Sequence, residues 1–495
     1  MNKILIYISL LFISAGLMAA ETSGPERQQQ AKKPNVIFIF TDDHGYADLG
    51  VQGQEFDVKT PHIDTLAMNG VRMQAGYTSS PQCIPARAGA LTGMYQNRFA
   101  LDDNSLGPFP LDVQTIPGRL QEAGYVTGMV GKWHLEPNHT QKHWLEATIP
   151  AEHAKNLGKK VNIPKDIKHQ YQPGQRGFTE FFNGRSRSYQ ANYDLDGNSL
   201  AAGGEQVIDE GYRLDVQTKA AEAFIERNHK DPFFLYLAYY GPHVPLEATE
   251  KYLERFPGDM PERRRVALAM ISAIDDGVGR ITRLLEEKGI DDNTLIFFIS
   301  DNGAPIKKHY EDQPLSYVGG WDGSMNTPWV GEKGMLSEGG IRVPYVVSWK
   351  GVLPEGKVYD APVSTLDIGA TALALAGVES DVELDGVNII PYLTGEITGV
   401  PHDTLYWRFW SQLAVREGKY KYLKLIGNEE YLFDLEADGH ETKNLLAEKP
   451  ALAARLAKKL DAWNSALPAN RSIGARIAEE EDWFDFYFKV EADQE

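Results

Sequence analysis

Four apolar runs in this chain are built alike. Val36 to Phe40, within PNVIFIFTDDHG, stops at Asp42 and Asp43; YVTGMVGKWH, from Tyr125, ends in Lys132 and His134. PFFLYLAYYGPHVP, from Pro232, delivers His243, and TLIFFISDNG, from Thr294, ends in Asp301 and Asn302. Short continuous apolar runs of this kind predict strands buried on both faces. Between them, TIPGRLQEAG (115–124), RRRVALAMISAIDDGVGRITRLLEEKG (263–289) and STLDIGATALALAG (364–377) repeat their apolar residues at helical spacing. The alternation predicts an α/β fold, a large mostly parallel mixed sheet flanked by helices. In such sheets ligands bind beyond the carboxyl ends of the strands, so side chains far apart in sequence are expected at one rim.

The texture changes near residue 400. LAVREGKYKYLKL and EEYLFDLEADGHE read as β segments joined by tight turns, and ALAARLAKKLDAWNSAL (451–467) as an amphipathic helix. A catalytic α/β domain over 35–398 and a smaller α+β domain over 399–470 are expected; the acidic, aromatic tail 471–495 receives no role. At the other end, Lys3, an apolar run from Ile4 to Met18 and the small residues Ala19 and Ala20 form the pattern of a secretory signal peptide over 1–20, followed by a flexible leader over 21–34. The run is shorter than the ~20 apolar residues of a membrane span. The expected protein is exported, periplasmic or secreted in a bacterium, with no membrane association after signal cleavage. Its formal net charge of −19 argues against nucleic acid as a partner.

Asp42, Asp43, Asp301 and Asn302 offer three carboxylates and an amide oxygen at strand ends. Hard oxygen donors select calcium or magnesium over softer metals. A second acidic pair, Asp275 and Asp276, falls inside the expected helix 263–289 and is assigned to solvent or helix packing. Lys132, His134, His243, Arg87 and Lys333 fall in strand-end loops or glycine-rich turns, and together beside a metal they describe an anion site. Cys83, in SSPQCIPARAGALTG (79–93), is the only cysteine of 495 residues. Exported proteins use cysteines in pairs, so a lone one is either an inert buried thiol or a reactive group. Pro85 is expected to open a helix with Arg87 one turn in, and a helix N-terminus here would lower the Cys83 pKa.

CIPARAGALTG resembles the Cys-x-Pro-x-Arg signature of type I sulfatases, in the alkaline-phosphatase-like superfamily. TDDHGYADLG, GKWHL, GPHVP, SDNGAP and GEKGMLSEGGIRVP are similar to the other sulfatase blocks in the same order, as is YLFDLEAD…ETKNL near the C-terminus. The likeness covers roughly 34–465 and is nearest to bacterial polysaccharide sulfatases. It implies that a maturation enzyme, reading Pro85 and Arg87, oxidises Cys83 to formylglycine. It also implies Ca²⁺, ahead of Mg²⁺, on Asp42, Asp43, Asp301, Asn302 and residue 83. Arg87 and Lys132 would stabilise the hydrated aldehyde, one hydroxyl of which attacks sulfur; His243, with Lys333, would serve the leaving alcohol, and His134 would take the proton that lets sulfate depart.

Residues 153–187 carry eight Lys or Arg against Asp166 and Glu180. In an acidic chain this reversal suggests a surface that steers a polyanion. Arg185, Arg187, Tyr189 and Trp321, with Trp329, are the expected sugar contacts. Together these features favour a sulfated polysaccharide or oligosaccharide as substrate. The alternatives are an arylsulfatase, a phosphoester or phosphonate monoester hydrolase, and a non-catalytic binder of sulfated glycans should Cys83 stay unoxidised.

Overall fold

Strand β1 (Asn35–Asp42) is buried along its whole length. Its side chains alternate between two cores, as the two-residue period of a strand requires. Val36, Phe38 and Phe40 join Phe234, Tyr236 and Phe297 on one face; Ile37 and Ile39 join Leu235, Leu237 and Phe298 on the other. The computed structural model describes residues 32–149, 163–306, 313–315, 320–474 and 476–489. The signal-peptide segment, most of the leader, and Lys155, Lys159 and Lys160 of the basic stretch lie outside these residues.

The sheet around β1 is completed by β2 (Gly70–Met73), β4 (Val126–Gly131), β5 (Glu180–Ser186), β6 (Ser188–Ala191), β7 (Glu205–Ile208), β8 (Phe233–Pro242), β9 (Thr294–Ser300), β10 (Tyr345–Ser348) and β11 (Lys357–Tyr359). The order is β11-β2-β10-β9-β1-β8-β4-β5-β6-β7. The central five, β9-β1-β8-β4-β5, are parallel; β10, β6 and β7 add antiparallel pairings. A separate parallel pair joins β3 (Gly76–Tyr77) to β12 (Val363–Ser364). Helices Arg213–Asn228 and Glu262–Lys288 cover the Ile37 face. Helices Cys83–Thr92, Ile116–Glu122 and Asp367–Ala376 cover the Phe38 face.

Register brings the rim together. Phe40 stands opposite Ala238 of β8 and Ile299 of β9, and Gly131 of β4 opposite the same Ala238. The next residues are tied across strands: Lys132 N–H to the Ala238 carbonyl at 2.7 Å, His243 N–H to that of Asp42 at 3.2 Å, and Asp301 N–H to that of Thr41 at 3.1 Å. The second acidic pair is structural. Asp275 accepts the His62 and Ile63 N–H groups at the start of helix Pro61–Met68, and Asp276 pairs with Arg255 at 2.8 Å.

The C-terminal part is an antiparallel sheet of β13 (Thr404–Phe409), β14 (Gln412–Glu417), β15 (Tyr420–Lys424) and β16 (Glu430–Asp434). Helix Pro450–Ser465 places Leu456 and Leu460 on one face of it. The other face, with Trp407, Phe409 and Phe433, packs on Tyr77, Met335, Leu336 and Ile341 of the larger part. The tail left without a role has structure: helix Ile477–Phe484 runs into a π-turn at Asp485–Lys489, and Trp483 and Phe484 are buried in that same cluster. Among the described residues no helix is long and apolar enough to cross a membrane.

Candidate active site

The helix carrying the signature opens at Cys83 itself, two residues before Pro85. Gln82, in extended conformation, is the N-cap, and Gly93, at φ 68°, ends the helix. Proline is accommodated because the first helical turn has no intrahelical acceptor for its missing N–H. Cys83 Sγ lies 3.8 Å from Asp42 Oδ1 and 4.0 Å from Asp43 Oδ1. One turn on, Arg87 Nη2 donates to Asp301 Oδ2 at 2.7 Å and stands 3.5 Å from Asp42 Oδ1, while Nη1 donates to the Tyr236 hydroxyl at 3.2 Å. Lys132 Nζ bridges both oxygens of Asp42 at 2.7 Å each. Lys333 Nζ does the same to Asp43 at 2.6 and 2.8 Å. His243 Nε2 is 3.5 Å from Asp43 Oδ2, with Nδ1 2.7 Å from the Val244 carbonyl.

Asp43 and His134 are held at φ 60° and 62°, where residues other than glycine are uncommon. Such backbone persists where the surroundings over-determine it, a circumstance that concentrates at functional sites.

Burial disfavours a charged Asp42, but Lys132, His243, Arg87 and Lys333 outweigh it and hold the carboxyl well below the usual carboxylate range. At Asp43, burial is overcome by Lys333 and His243, again downward. Burial wins at Asp301, pushing it up to about 6 against Arg87. It also pushes the Cys83 thiol up to about 12 against Lys132 and Lys333. The expected lowering of the Cys83 pKa by its helix N-terminus is therefore overturned: the side chain is 1% exposed, and desolvation of a thiolate outweighs the helix dipole. As a thiol, Cys83 is a poor nucleophile near neutral pH. Burial, reinforced by Lys132 and Arg87, holds His134 well below its ordinary value and so neutral; its Nδ1 is buried without a partner.

Ligand atoms of Asp42, Asp43, Cys83 and Asp301 lie within 4.8 Å of one another. Asn302 donates its Nδ2 to Asp43 Oδ1 at 2.7 Å, leaving its buried Oδ1 without a partner. A buried acceptor left over beside converging carboxylates fits a hard cation. The charges agree. Three carboxylates (Asp42, Asp43, Asp301) already face three fixed cations (Arg87, Lys132, Lys333). A divalent ion would leave these six groups two charges positive, suited to binding an anion.

A family model described as Sulfatase matches residues 34–378. The chain belongs to the sulfatase family. A second model, N-sulphoglucosamine sulphohydrolase, C-terminal, matches residues 328–466. The N-acetylgalactosamine-6-O-sulfatase of Bacteroides thetaiotaomicron is 28% identical over 491 residues, 88% of this chain and 93% of that protein. The N-acetylgalactosamine-6-sulfatase of Mus musculus is 31% identical over 438 residues, 83% and 74% of the two. The crystal structure of Ps i-CgsB in complex with k-i-k-neocarrahexaose superposes with a TM-score of 0.72 at 29% identity, covering 93% of this sulfatase and 100% of that chain. The protein is a sulfuric ester hydrolase of alkaline-phosphatase-like fold.

Two of the expected sugar contacts are buried. Tyr189 is 1% exposed and packs on Phe182 at 4.8 Å between ring centroids. Trp321 is 4% exposed, donates Nε1 to the Ser324 carbonyl and packs with Ala304 and Ile306. The Trp321 ring is enclosed by this packing, whereas Tyr189, though buried, is among the residues that line a cavity of about 620 Å³. Trp329 is engaged by the Arg342 guanidinium, 3.8 Å from its ring centre. Arg187 pairs with Glu210 at 3.3 Å on an exposed hairpin. Arg185 reaches the Val244 carbonyl at 3.4 Å, beside His243.

Three participants were missed in the sequence. Tyr236 holds Arg87; its place in the apolar run of β8 was the available signal. Asp322 is 3% exposed, with a carboxylate oxygen within 4.8 Å of Asp43 and His243 ligand atoms. The tail is the third: Trp483 lies on Gly334, beside Lys333, and the Tyr487 hydroxyl is 3.4 Å from Glu332 Oε1.

Proposed function

We propose that this sulfatase hydrolyses a sulfate ester on a sulfated polysaccharide or oligosaccharide, releasing inorganic sulfate, with formylglycine made from Cys83 and a bound calcium ion. One observation carries the reading: a buried Cys83 stands among three carboxylates, three fixed cations and the orphaned Asn302 Oδ1.

Asp42, Asp43, Asp301 and Asn302, with residue 83, would hold the ion, which supplies Lewis-acid stabilisation of sulfate oxygens. Formylglycine at position 83 would supply a hydrated aldehyde as nucleophile toward sulfur. Arg87, locked by Asp301 and Tyr236, fixes residue 83 from one turn below. Lys132 and Lys333 provide preorganised positive charge where the sulfate oxygens gather, on a scale of roughly 3 kcal/mol per donor. His243, 27% exposed at its side chain, would deliver a proton to the leaving sugar oxygen; burial lowers its pKa, and Asp42 and Asp43 work against that lowering. His134, neutral and with Nδ1 unengaged, takes a proton as sulfate departs. A carbohydrate substrate is supported by the sugar-specific relatives and by the oligosaccharide held in the Ps i-CgsB crystal. The apolar N-terminus supports export, and CIPAR supports recognition by a formylglycine-generating enzyme.

Mass spectrometry of the peptide containing residue 83, alongside sulfate release from a panel of sulfated oligosaccharides, tests the proposal. The expected result is an aldehyde at position 83 in active protein and no sulfate release by Cys83→Ala. Release by Cys83→Ala at the wild-type rate overturns it.

A further inference from the structure

A cleft of about 370 Å³ adjoins the reactive cluster at His134 and is lined also by Gln82 and Ile84, the two neighbours of Cys83. One wall is the loop Asp103–Ser105. Asn104 Oδ1 accepts the Ile84 N–H at 2.9 Å, and the Asn104 N–H donates to Gln82 Oε1 at 2.8 Å, so this wall is tied to the start of the Cys83 helix. Asn138–Thr140 also lines it, and there Asn138 Oδ1 accepts both the N–H and the hydroxyl of Thr140. The cleft has the size of a small-ligand site, and its amide, hydroxyl and imidazole groups suit sugar hydroxyls.

The last lining residue is Arg476, from the C-terminal tail. It lies beyond residues 34–378 and 328–466, so neither family match includes it. Its guanidinium stands 5.6 Å from the Trp410 ring centre, and its Nη1 donates to Glu479 Oε2 at 2.9 Å. Trp410 is in turn held by an indole N–H donated to Asp103 and by a parallel stack on Trp483, at 5.8 Å and 4°. Arg476 is thus placed on a rigid aromatic support yet keeps its side chain 60% exposed. Among the described residues, the one carboxylate lining the cleft, Asp103, is 5% exposed and already accepts from Trp410 and from the Ser105 N–H. In a chain of net charge −19, a guanidinium presented this way selects for anions.

We infer that this cleft is a substrate subsite and that Arg476 reads a second anionic group, a sulfate or a carboxylate, on the sugar whose sulfate is being cleaved or on its neighbour. The inference rests on the sulfatase reading of the site and narrows its substrate to multiply charged glycans. Arg476 acts in binding and leaves the bond-breaking groups untouched.

The test measures kcat and KM for wild type, Arg476→Ala, Arg476→Lys and Glu479→Gln. Substrates are an aryl sulfate, a monosulfated disaccharide, its disulfated form and a form with one sulfate and one uronic acid. For Arg476→Ala, KM on the doubly charged sugars should rise roughly tenfold with kcat unchanged. The aryl sulfate and the monosulfated sugar should move by less than about twofold. Arg476→Lys should recover part of the loss, and Glu479→Gln, which frees the guanidinium, should lower KM on the doubly charged sugars. The disulfated and uronic-acid arms identify which anion is read. Equal losses on all four substrates, no loss on any, or a raised KM in Glu479→Gln overturns the subsite. Absence of sulfate release from every substrate by wild type overturns the sulfatase reading instead.

Discussion

Trp483 lies against Gly334: a Cβ built on Gly334 would stand 2.6 Å from the indole. Gly334 follows Lys333, whose ammonium holds Asp43, and its backbone is tied on both sides. Its N–H donates to the Pro81 carbonyl, two residues before Cys83, and its carbonyl accepts from Gln412 Nε2. The tail therefore braces the loop that carries Lys333. Trp483 is 5% exposed, so Trp483→Ala should cost about 3 kcal/mol or more in denaturant unfolding. Its kcat on an aryl sulfate should fall even at temperatures where the variant is fully folded. Gly334→Ala should do likewise, since φ 95° is strained for any other residue. Unchanged kcat in both variants would detach the tail from the site.

The orphaned Asn302 Oδ1 predicts a metal phenotype separate from folding. Asn302→Leu should weaken calcium binding, followed by titration calorimetry, by about 100-fold, and Asn302→Asp should retain most of it. Asp301→Ala should lose metal and activity together. Stoichiometric zinc in the native protein, or full activity without metal, would count against a hard-cation site.

Lys165 and Lys168, the two lysines of the basic stretch whose positions are described, line a second cavity of about 620 Å³ with Gln172, Gln175, Gln190 and Gln206. Replacing both lysines with serine should lower kcat/KM on a sulfated oligosaccharide severalfold at low ionic strength and leave an aryl sulfate nearly unaffected. Added salt should close the gap, because screening removes steering. A loss that is equal on both substrates would place these lysines in the fold.

His402 offers a pH-dependent stability through a pair that includes none of the reactive residues. Its Nε2 is 2.7 Å from Asp367 Oδ1, both side chains buried. Burial works against the charged ring, but Asp367 outweighs it and raises the His402 pKa above 6.5. A raised folded pKa stabilises fully below the unfolded value and is lost as pH rises through the folded one. His402→Gln should therefore lose on the order of 1 kcal/mol in acid, read by urea melts, with the difference shrinking above pH 6.5. A constant difference across pH would remove the ion pair from the account.

The apolar runs determined the strands because burial on both faces demands continuous hydrophobicity, a local property that can be read at each position. The oxygen donors and cations were legible too, as polar breaks where those runs end. Their meeting point needed the fold, since the register of β1 with β8 and β9 is what levels Asp42, His243 and Asp301 on one rim. Side-chain exposure also lay outside the local pattern. Tyr189 and Trp321 have the composition of sugar-stacking residues and are core, because long-range packing decides which face of a ring is covered. The Cys83 pKa went against the helix-terminus expectation for the same reason, as the surrounding chain removes the water that a thiolate requires. The tail showed only charge and aromatic content in one dimension; Gly334 and Trp410, far away in sequence, supply the surfaces that give it a place.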